Sequence, residues 1–144
     1  DKKENKERKA LNFGHTLGHA IESFLLKSKK RLLHGEAIGI GMVLASYISH
    51  KLLDFPLTSL DLIKNHINSK YKKINFSKKE IIKIIELLKH DKKNSHGKIN
   101  FILLKKIGLP VYDVQVENKI IIDSFEYYNK WFLCRISTSI NISK

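Results

Sequence analysis

Three histidines near the start of the chain are the residues best suited to chemistry. His15 and His19 are four positions apart, so a helix would present both imidazoles on one face. His34 follows a basic loop and opens the next predicted helix, which could bring it back toward the pair; Glu36 lies two residues further on. Two or three imidazoles near a carboxylate are suitable donors for a zinc ion. A metal site is therefore one interpretation of this pattern.

Glycines beside these histidines allow two interpretations. Gly14 and Gly18 each precede a histidine, and Gly35 follows His34. Without side chains at these positions, a metal or substrate could approach the backbone closely. Alternatively, two helices pack glycine against glycine around core histidines, which would offset the cost of about 1 kcal/mol for each glycine in a helix. The sequence pattern leaves both interpretations open.

A polar stripe is predicted upstream of the pair. Glu4, Arg8 and Asn12 are spaced by four, and a helical register continued backward would align them with His15 and His19. A guanidinium can bind a phosphate or carboxylate through its fork, and histidine and glutamate can transfer protons. The stripe therefore fits an anionic substrate, although a solvated, charged helix start would look the same.

Composition restricts the class of protein. The net charge of +13 would suit nucleic acid, acidic membranes or anionic substrates. However, lysine supplies most of it, and no arginine-rich recognition helix with interleaved aromatics is apparent. The single cysteine, Cys134, excludes an internal disulfide. The apolar-rich segment 37–48 is too short for a confident membrane span, and no signal peptide opens the chain. We expect a cytoplasmic protein that binds neither nucleic acid nor membranes.

The periodicity predicts a mainly α fold with one small antiparallel β-hairpin. Helices are expected at five places: 13–27, 34–53, 58–70, 77–90 and 117–133. Thr58 is a predicted cap, and Ser77 with Glu80 forms a predicted capping box. The hairpin would pair 98–105 with 111–116 across a turn containing Gly108 and Pro110. The tail 134–144 lacks periodicity and is left unplaced.

Three ordered segments resemble the 3-dehydroquinate synthase family. Residues 8–22 resemble its RxxLNxGHTxGHAxE signature, residues 34–42 its HGEAVxxGM segment, and residues 91–108 its DKKxxxGxxxxxLLxxIG segment. The acidic motif DExExGxR that precedes them in the family is only partly kept: Asp1, Glu4 and Arg8 match, but Lys2 and Lys6 do not.

The resemblance implies a role for each matching residue. It implies two of three metal ligands, which also border the substrate: His15 and His34. It implies further substrate contacts: Arg8, Asn12, and Lys92 or Lys93. It implies catalytic proton transfer at two positions: His19 and Glu4. The third ligand of the family is a glutamate upstream of the segments matched here.

The resemblance also implies an activity and its cofactors. The family converts 3-deoxy-arabino-heptulosonate 7-phosphate to 3-dehydroquinate and phosphate in the shikimate pathway, which leads to chorismate and aromatic amino acids. It uses Zn2+ or Co2+ and NAD. Residues 1–133 would form the C-terminal helical metal- and substrate-binding domain, and NAD would be bound mainly by an N-terminal domain absent from this chain. We expect a homodimer at full length, and an isolated chain that is inactive.

Three alternatives remain. A related sugar-phosphate cyclase would share these motifs. A metal-dependent polyol dehydrogenase would share the metal histidines, but its neutral substrate would not need Arg8 or the lysine pair 92–93. A basic nucleic-acid-binding helical module is the third.

Overall fold

The computed structural model describes residues 8–91 and 99–142, with side chains for 8–90 and 99–130. Its helices and strands follow in this order: α1 (His15–Leu25), α2 (His34–Leu53), α3 (Leu57–Lys70), α4 (Lys78–Asp91), β1 (Asn100–Lys106), β2 (Leu109–Gln115) and α5 (Asn118–Ile142). Residues 8–10 are also helical. The predicted mainly α fold with one antiparallel hairpin is confirmed. No helix within the described ranges is long and apolar enough to cross a membrane.

Helix α2 is the central element, because α1, α3, α5 and β1 all pack against it. Its apolar side chains Ile40, Leu44 and Ile48 are almost fully buried. Leu17 and Ile21 of α1 are buried in the same core. Burial of each such side chain contributes roughly 1.5–3 kcal/mol. Helix α2 thus gives the other elements a fixed support.

Helices α1 and α2 cross with their backbones in close contact. A methyl group added at Gly41 would collide with the carbonyl oxygen of Gly14 and lie 2.8 Å from the nitrogen of Gly18. Helices can approach this closely only where side chains are missing. The glycine-against-glycine interpretation is therefore confirmed for packing, although the histidines of α1 are not in the core.

The segment before α1 is a tight turn rather than continuous helix. Backbone bonds of the i to i−3 type run from Leu11 N–H to Arg8 O and from Asn12 N–H to Lys9 O. Gly14 then adopts φ +83° as the N-cap of α1, a conformation that costs glycine little. The helical register therefore does not continue unbroken from Arg8 to His19, as alignment of the predicted stripe would require. Glu4 lies outside the described residues.

The helix starts confirm one predicted cap and correct another. Ser77 and Glu80 form the predicted capping box, with Glu80 N–H donating to the Ser77 hydroxyl and Ser77 N–H donating to the Glu80 carboxylate. The prediction that Thr58 caps α3 is wrong. Helix α3 begins one residue earlier, and the carbonyl of Pro56 accepts its first hydrogen bond, from Leu60 N–H. The proline ring fixes φ near a helical value at this boundary.

A hydrogen bond to a serine hydroxyl of α2 joins the β-hairpin to that helix. Leu104 N–H donates to the Ser49 hydroxyl at 2.9 Å, and that hydroxyl donates to the carbonyl of Ala45. Gly108, at φ +87°, makes the turn. Pro110, expected in the turn, instead lies in β2 opposite Leu104. A two-stranded sheet has only edge strands, where a missing N–H is tolerated.

Helix α5 extends further than the sequence predicts. It was expected to end at Leu133 but continues to Ile142, so the segment 134–142 is helical rather than an irregular tail. The segment contains no glycine or proline to stop the helix. Closer to its start, the Asn129 side chain accepts from Phe76 N–H at 3.0 Å and donates to Phe76 O at 2.8 Å, which joins α5 to the segment before α4.

Candidate metal centre

The three histidines come together where α1 and α2 both begin. His15 is the first residue of α1, His19 lies one turn later, and His34 is the first residue of α2. Their ring centroids are 5.3 Å apart for His15 and His19, 5.5 Å for His19 and His34, and 6.2 Å for His15 and His34. The close crossing of the two helices produces this geometry. The three rings are therefore neighbours, but among the described residues the group whose ligand atoms all lie within 4.8 Å of one another is His19, Glu22 and His34, without His15. The role of His15 and His34 as ligands stays a prediction.

His15 has an unsatisfied ring nitrogen. Its Nδ1 is buried and has no hydrogen-bond partner among the described residues. An unpaired buried polar atom costs about 1–3 kcal/mol, and a metal ion is one partner that would relieve this cost. The neighbouring rings of His19 and His34 are exposed, so the cluster opens to the surface on one side. The donor set and this free nitrogen both fit a divalent metal.

A carboxylate that the sequence reasoning missed lies against the cluster. Glu22 Oε2 is 2.9 Å from Nδ1 of His34. Glu22, His19 and His34 each place a potential ligand atom within 4.8 Å of the others. The signal was present in the sequence, because Glu22 follows His15 by seven residues and His19 by three, which is one face of a helix.

Glu36, the carboxylate that the sequence suggested, has a different contact. Its Oε1 accepts a hydrogen bond from Leu33 N–H at 3.0 Å. This contact satisfies a backbone donor just before α2 and places negative charge at the positive end of the helix dipole. Glu36 therefore stabilises the start of the helix that carries His34.

The structure describes only some of the other predicted site residues. Arg8 and Asn12 are exposed and lie in the turn that leads into α1, where the Asn12 carbonyl accepts from His15 N–H at 2.9 Å. That bond ties the turn directly to the first histidine. Glu4, Lys92 and Lys93 lie outside the described residues.

An apolar cleft of about 660 Å³ lies beside His15. Phe13, Ile38 and Met42 line one part of it, and the hairpin contributes Leu104 and other residues. This volume is in the range of small-molecule sites. His15 therefore borders both the histidine cluster and a cleft large enough for a ligand.

Comparison with known protein families gives a match over much of the chain. Residues 1–94 match the family described as 3-dehydroquinate synthase C-terminal. The chain belongs to the 3-dehydroquinate synthase C-terminal domain family. The matched segment includes α1 and α2 and the three histidines.

Curated relatives support the same assignment. The chain is 41% identical over 132 residues to the 3-dehydroquinate synthase of Parabacteroides distasonis, a match that covers 92% of this chain and 37% of the relative. It is 44% identical over 115 residues to that of Methylacidiphilum infernorum, covering 77% and 31%. The chain thus spans about a third of the length of these relatives.

Solved structures share the fold. A 2-epi-5-epi-valiolone synthase from Streptomyces hygroscopicus, with NAD+ and Zn2+ bound, superposes with a TM-score of 0.65 at 21% identity, over 83% of this chain and 32% of that one. A 2-deoxy-scyllo-inosose synthase complexed with carbaglucose-6-phosphate, NAD+ and Co2+ gives a TM-score of 0.60 at 25% identity, over 79% and 32%. The fold class of this dehydroquinate-synthase-like domain is thereby shown.

Proposed function

We propose that this chain is the metal- and substrate-binding domain of a 3-dehydroquinate synthase, which releases phosphate from 3-deoxy-arabino-heptulosonate 7-phosphate to form 3-dehydroquinate. The observation that carries the proposal is the convergence of His15, His19 and His34, all within the family's motifs. Relatives about 40% identical bear this enzyme's name. The proposed place of the protein is the shikimate pathway in the cytoplasm.

The proposed metal ligands in this chain are His15 and His34. The family's third ligand, a glutamate, would come from outside the chain, and the ion would be Zn2+ or Co2+. Once bound, the ion would supply a Lewis acid that polarises a substrate oxygen. The unpaired buried Nδ1 of His15 supports this choice. The group of His19, Glu22 and His34 is a competing ligand set, and metal analysis of variants separates the two.

Proton transfer is proposed for His19. Its exposed ring lies 5.3 Å from that of His15, centroid to centroid, so a substrate at the cluster would meet it directly. A ring nitrogen of His19 would accept the hydroxyl proton of the substrate, since imidazole takes up and releases protons near neutral pH. Glu4 is the second proposed proton acceptor.

Substrate charge is proposed to be neutralised by Arg8 and by Lys92 or Lys93. The guanidinium of Arg8 can form paired hydrogen bonds with a carboxylate or phosphate, and a lysine ammonium acts as a compact positive charge. Asn12 would add an amide contact. Because Arg8 and Asn12 lie in the turn that ends at His15, anion binding and the histidine cluster would be held in one segment.

Nicotinamide binding is proposed to belong mainly to a separate N-terminal domain, and the complete enzyme to be a homodimer. The described residues contain no glycine-rich strand-to-helix turn of the kind that binds dinucleotides. NAD+ would accept a hydride from the substrate and return it within one turnover, so it would act as a true catalyst and stay bound.

A hybrid enzyme tests the proposal. This chain would replace the matching third of the Parabacteroides distasonis synthase, and phosphate release would be followed with NAD and zinc present. We expect release from the heptulosonate phosphate by the hybrid and none by the isolated chain. A folded, dimeric hybrid that is inactive, or an active isolated chain, would contradict the proposal.

A related sugar-phosphate cyclase is the second candidate, because both solved structures described above are cyclases that make other carbocycles. Glucose 6-phosphate is the discriminating substrate. A hybrid that acts on glucose 6-phosphate but not on the heptulosonate phosphate would favour this alternative. Activity on glycerol alone would favour a polyol dehydrogenase.

A further inference from the structure

The carboxylate of Glu22 makes a contact that the proposed roles do not explain. Its Oε2 is 2.9 Å from Nδ1 of His34, across the interface between α1 and α2. The Glu22 side chain is 28% exposed and that of His34 57% exposed. This polar side-chain contact joins the two helices beside the histidine cluster.

The contact selects one form of the His34 ring. A neutral imidazole carries one N–H, and an ionised carboxylate can only accept a hydrogen bond. A distance of 2.9 Å to the carboxylate therefore places the proton of a neutral ring on Nδ1. The lone pair is then on Nε2, which is the atom left free to bind a metal.

His34 lies at the boundary between an irregular segment and a helix. Residues 31–33 have no regular secondary structure, and His34 begins α2. Its neighbour Gly35 has no side chain, and a methyl group placed there would meet only the Tyr71 hydroxyl, at 3.8 Å. Glu22, by contrast, lies in the last half of α1, where Ile21 and Leu25 are buried in the core. The carboxylate thus extends from the part of α1 that is packed in the core to a side chain of α2 that is 57% exposed.

We propose that Glu22 is a positioning residue, which holds His34 with its proton on Nδ1 and its Nε2 available to a metal shared with His15. The inference rests on the proposed function for its metal and goes beyond it in assigning Glu22. Glu22 acts through His34 and is not itself a ligand. Carboxylate partners of this kind orient ligating histidines and raise their basicity, and their loss commonly weakens metal binding by roughly 10–100-fold.

The tautomer of His34 is the direct test and requires no metal. Long-range nitrogen–proton NMR spectra of the chain in mildly alkaline buffer, where imidazole is neutral, would be compared for the wild type, Glu22→Ala and Glu22→Gln, with His34→Ala to assign the signals. We expect Nδ1–H in the wild type, a mixture in Glu22→Ala, and largely Nδ1–H in Glu22→Gln, whose amide oxygen still accepts. A wild-type ring protonated on Nε2, or no change in Glu22→Ala, would overturn the proposal.

Zinc titrations of the hybrid enzyme, which supplies the ligand from outside this chain, give the second readout for the same variants. Glu22→Ala should raise the Kd for Zn2+ about tenfold or more, and Glu22→Gln should retain most of the affinity. Glu86→Ala, which removes an exposed carboxylate from α4, is the control and should match the wild type. If Glu22→Gln loses as much affinity as Glu22→Ala while keeping the Nδ1 proton, Glu22 is a ligand and the proposal is wrong. If the expected tautomers are found but the wild type binds no zinc, the metal centre fails and the pairing of Glu22 with His34 stands.

Discussion

At the scale of single residues, sequence reasoning found the histidines but not their carboxylate partner. His15 and His19 share a helix face, so their proximity follows from spacing alone. The approach of His34 depends on how α1 crosses α2, which spacing cannot give. Glu36 looked suitable because it is near His34 in sequence, yet its side chain accepts from Leu33 N–H, and Glu22 makes the contact with the ring.

Loss of the Arg8 guanidinium should weaken substrate binding. In the hybrid enzyme, Arg8→Ala should raise KM for the heptulosonate phosphate roughly 10- to 100-fold, because a hydrogen bond to a charged group contributes about 1.5–3 kcal/mol. Arg8→Lys should restore only part of the lost substrate affinity, since a lysine lacks the planar fork of the guanidinium. Steady-state kinetics measures both.

The adjacent residue is the matched control for that variant. Lys9 is exposed and lies 3.7 Å from Asp113 of the hairpin, a surface pair expected to contribute little. Lys9→Ala should leave KM within about twofold of the wild type. Equal effects of Arg8→Ala and Lys9→Ala would show that general positive charge, rather than the guanidinium at position 8, attracts the substrate.

At the scale of helices and strands, prediction worked where local signals acted alone. The bounds of α2 were predicted correctly, and the capping box of α4 was found from Ser77 and Glu80. Errors arose where the deciding contact is distant in sequence or the stop signal is missing. The helical register breaks at Gly14, which has φ +83° and lies against Met42 of α2. Helix α5 continues to Ile142 through a segment without glycine or proline.

The α1–α2 crossing predicts a large effect of one methyl group. Gly41→Ala should lower the free energy of unfolding by about 3 kcal/mol or more, the upper end for overpacked sites, since the new atom meets backbone that cannot rotate away. Gly35→Ala in the same helix has room and should stabilise by up to about 1 kcal/mol through helix propensity. Urea denaturation followed by circular dichroism measures the unfolding free energy of both variants. Similar changes in Gly41→Ala and Gly35→Ala would contradict the close crossing of α1 and α2.

The capping box of α4 predicts a dependence on pH. Burial raises the pKa of Glu80, but the hydrogen bonds from Ser77 and the charge of Lys30 outweigh it, so the pKa lies below its ordinary value. A lowered carboxyl pKa stabilises the fold above the ordinary value, and this contribution is lost as the pH falls through the lowered one. At neutral pH, Ser77→Ala should cost about 0.5–2 kcal/mol.

Glu80→Gln removes the titratable carboxyl group from the capping box of α4. Its deficit in unfolding free energy should be largest near neutral pH and should shrink in acid, when the wild-type carboxyl is also uncharged. Glu86→Gln, an exposed carboxyl on the same helix, should show little deficit at either pH. Urea titrations at several pH values test this, and a Glu80→Gln deficit that does not change with pH would argue against the box.

At the scale of the whole molecule, the chain carries part of a proposed site. It spans about a third of its curated relatives, and its histidines, its apolar cleft and the turn with Arg8 all lie around the start of α1. The net charge of +13 is compatible with an anionic substrate but does not identify one. The domain type followed from the resemblance of three short motifs to a known family, which residues 1–94 match.

The central claim is that the imidazoles of His15 and His34 hold one metal ion. The most direct measurement is the zinc content of the purified hybrid enzyme, compared with His15→Ala, His34→Ala and His19→Ala variants that remain folded and dimeric. We expect the first two variants to lose zinc and His19→Ala to retain about one ion per subunit, as a residue would that transfers protons without binding the metal. Zinc loss in His19→Ala equal to that in His15→Ala, or full zinc content in His15→Ala, would contradict it.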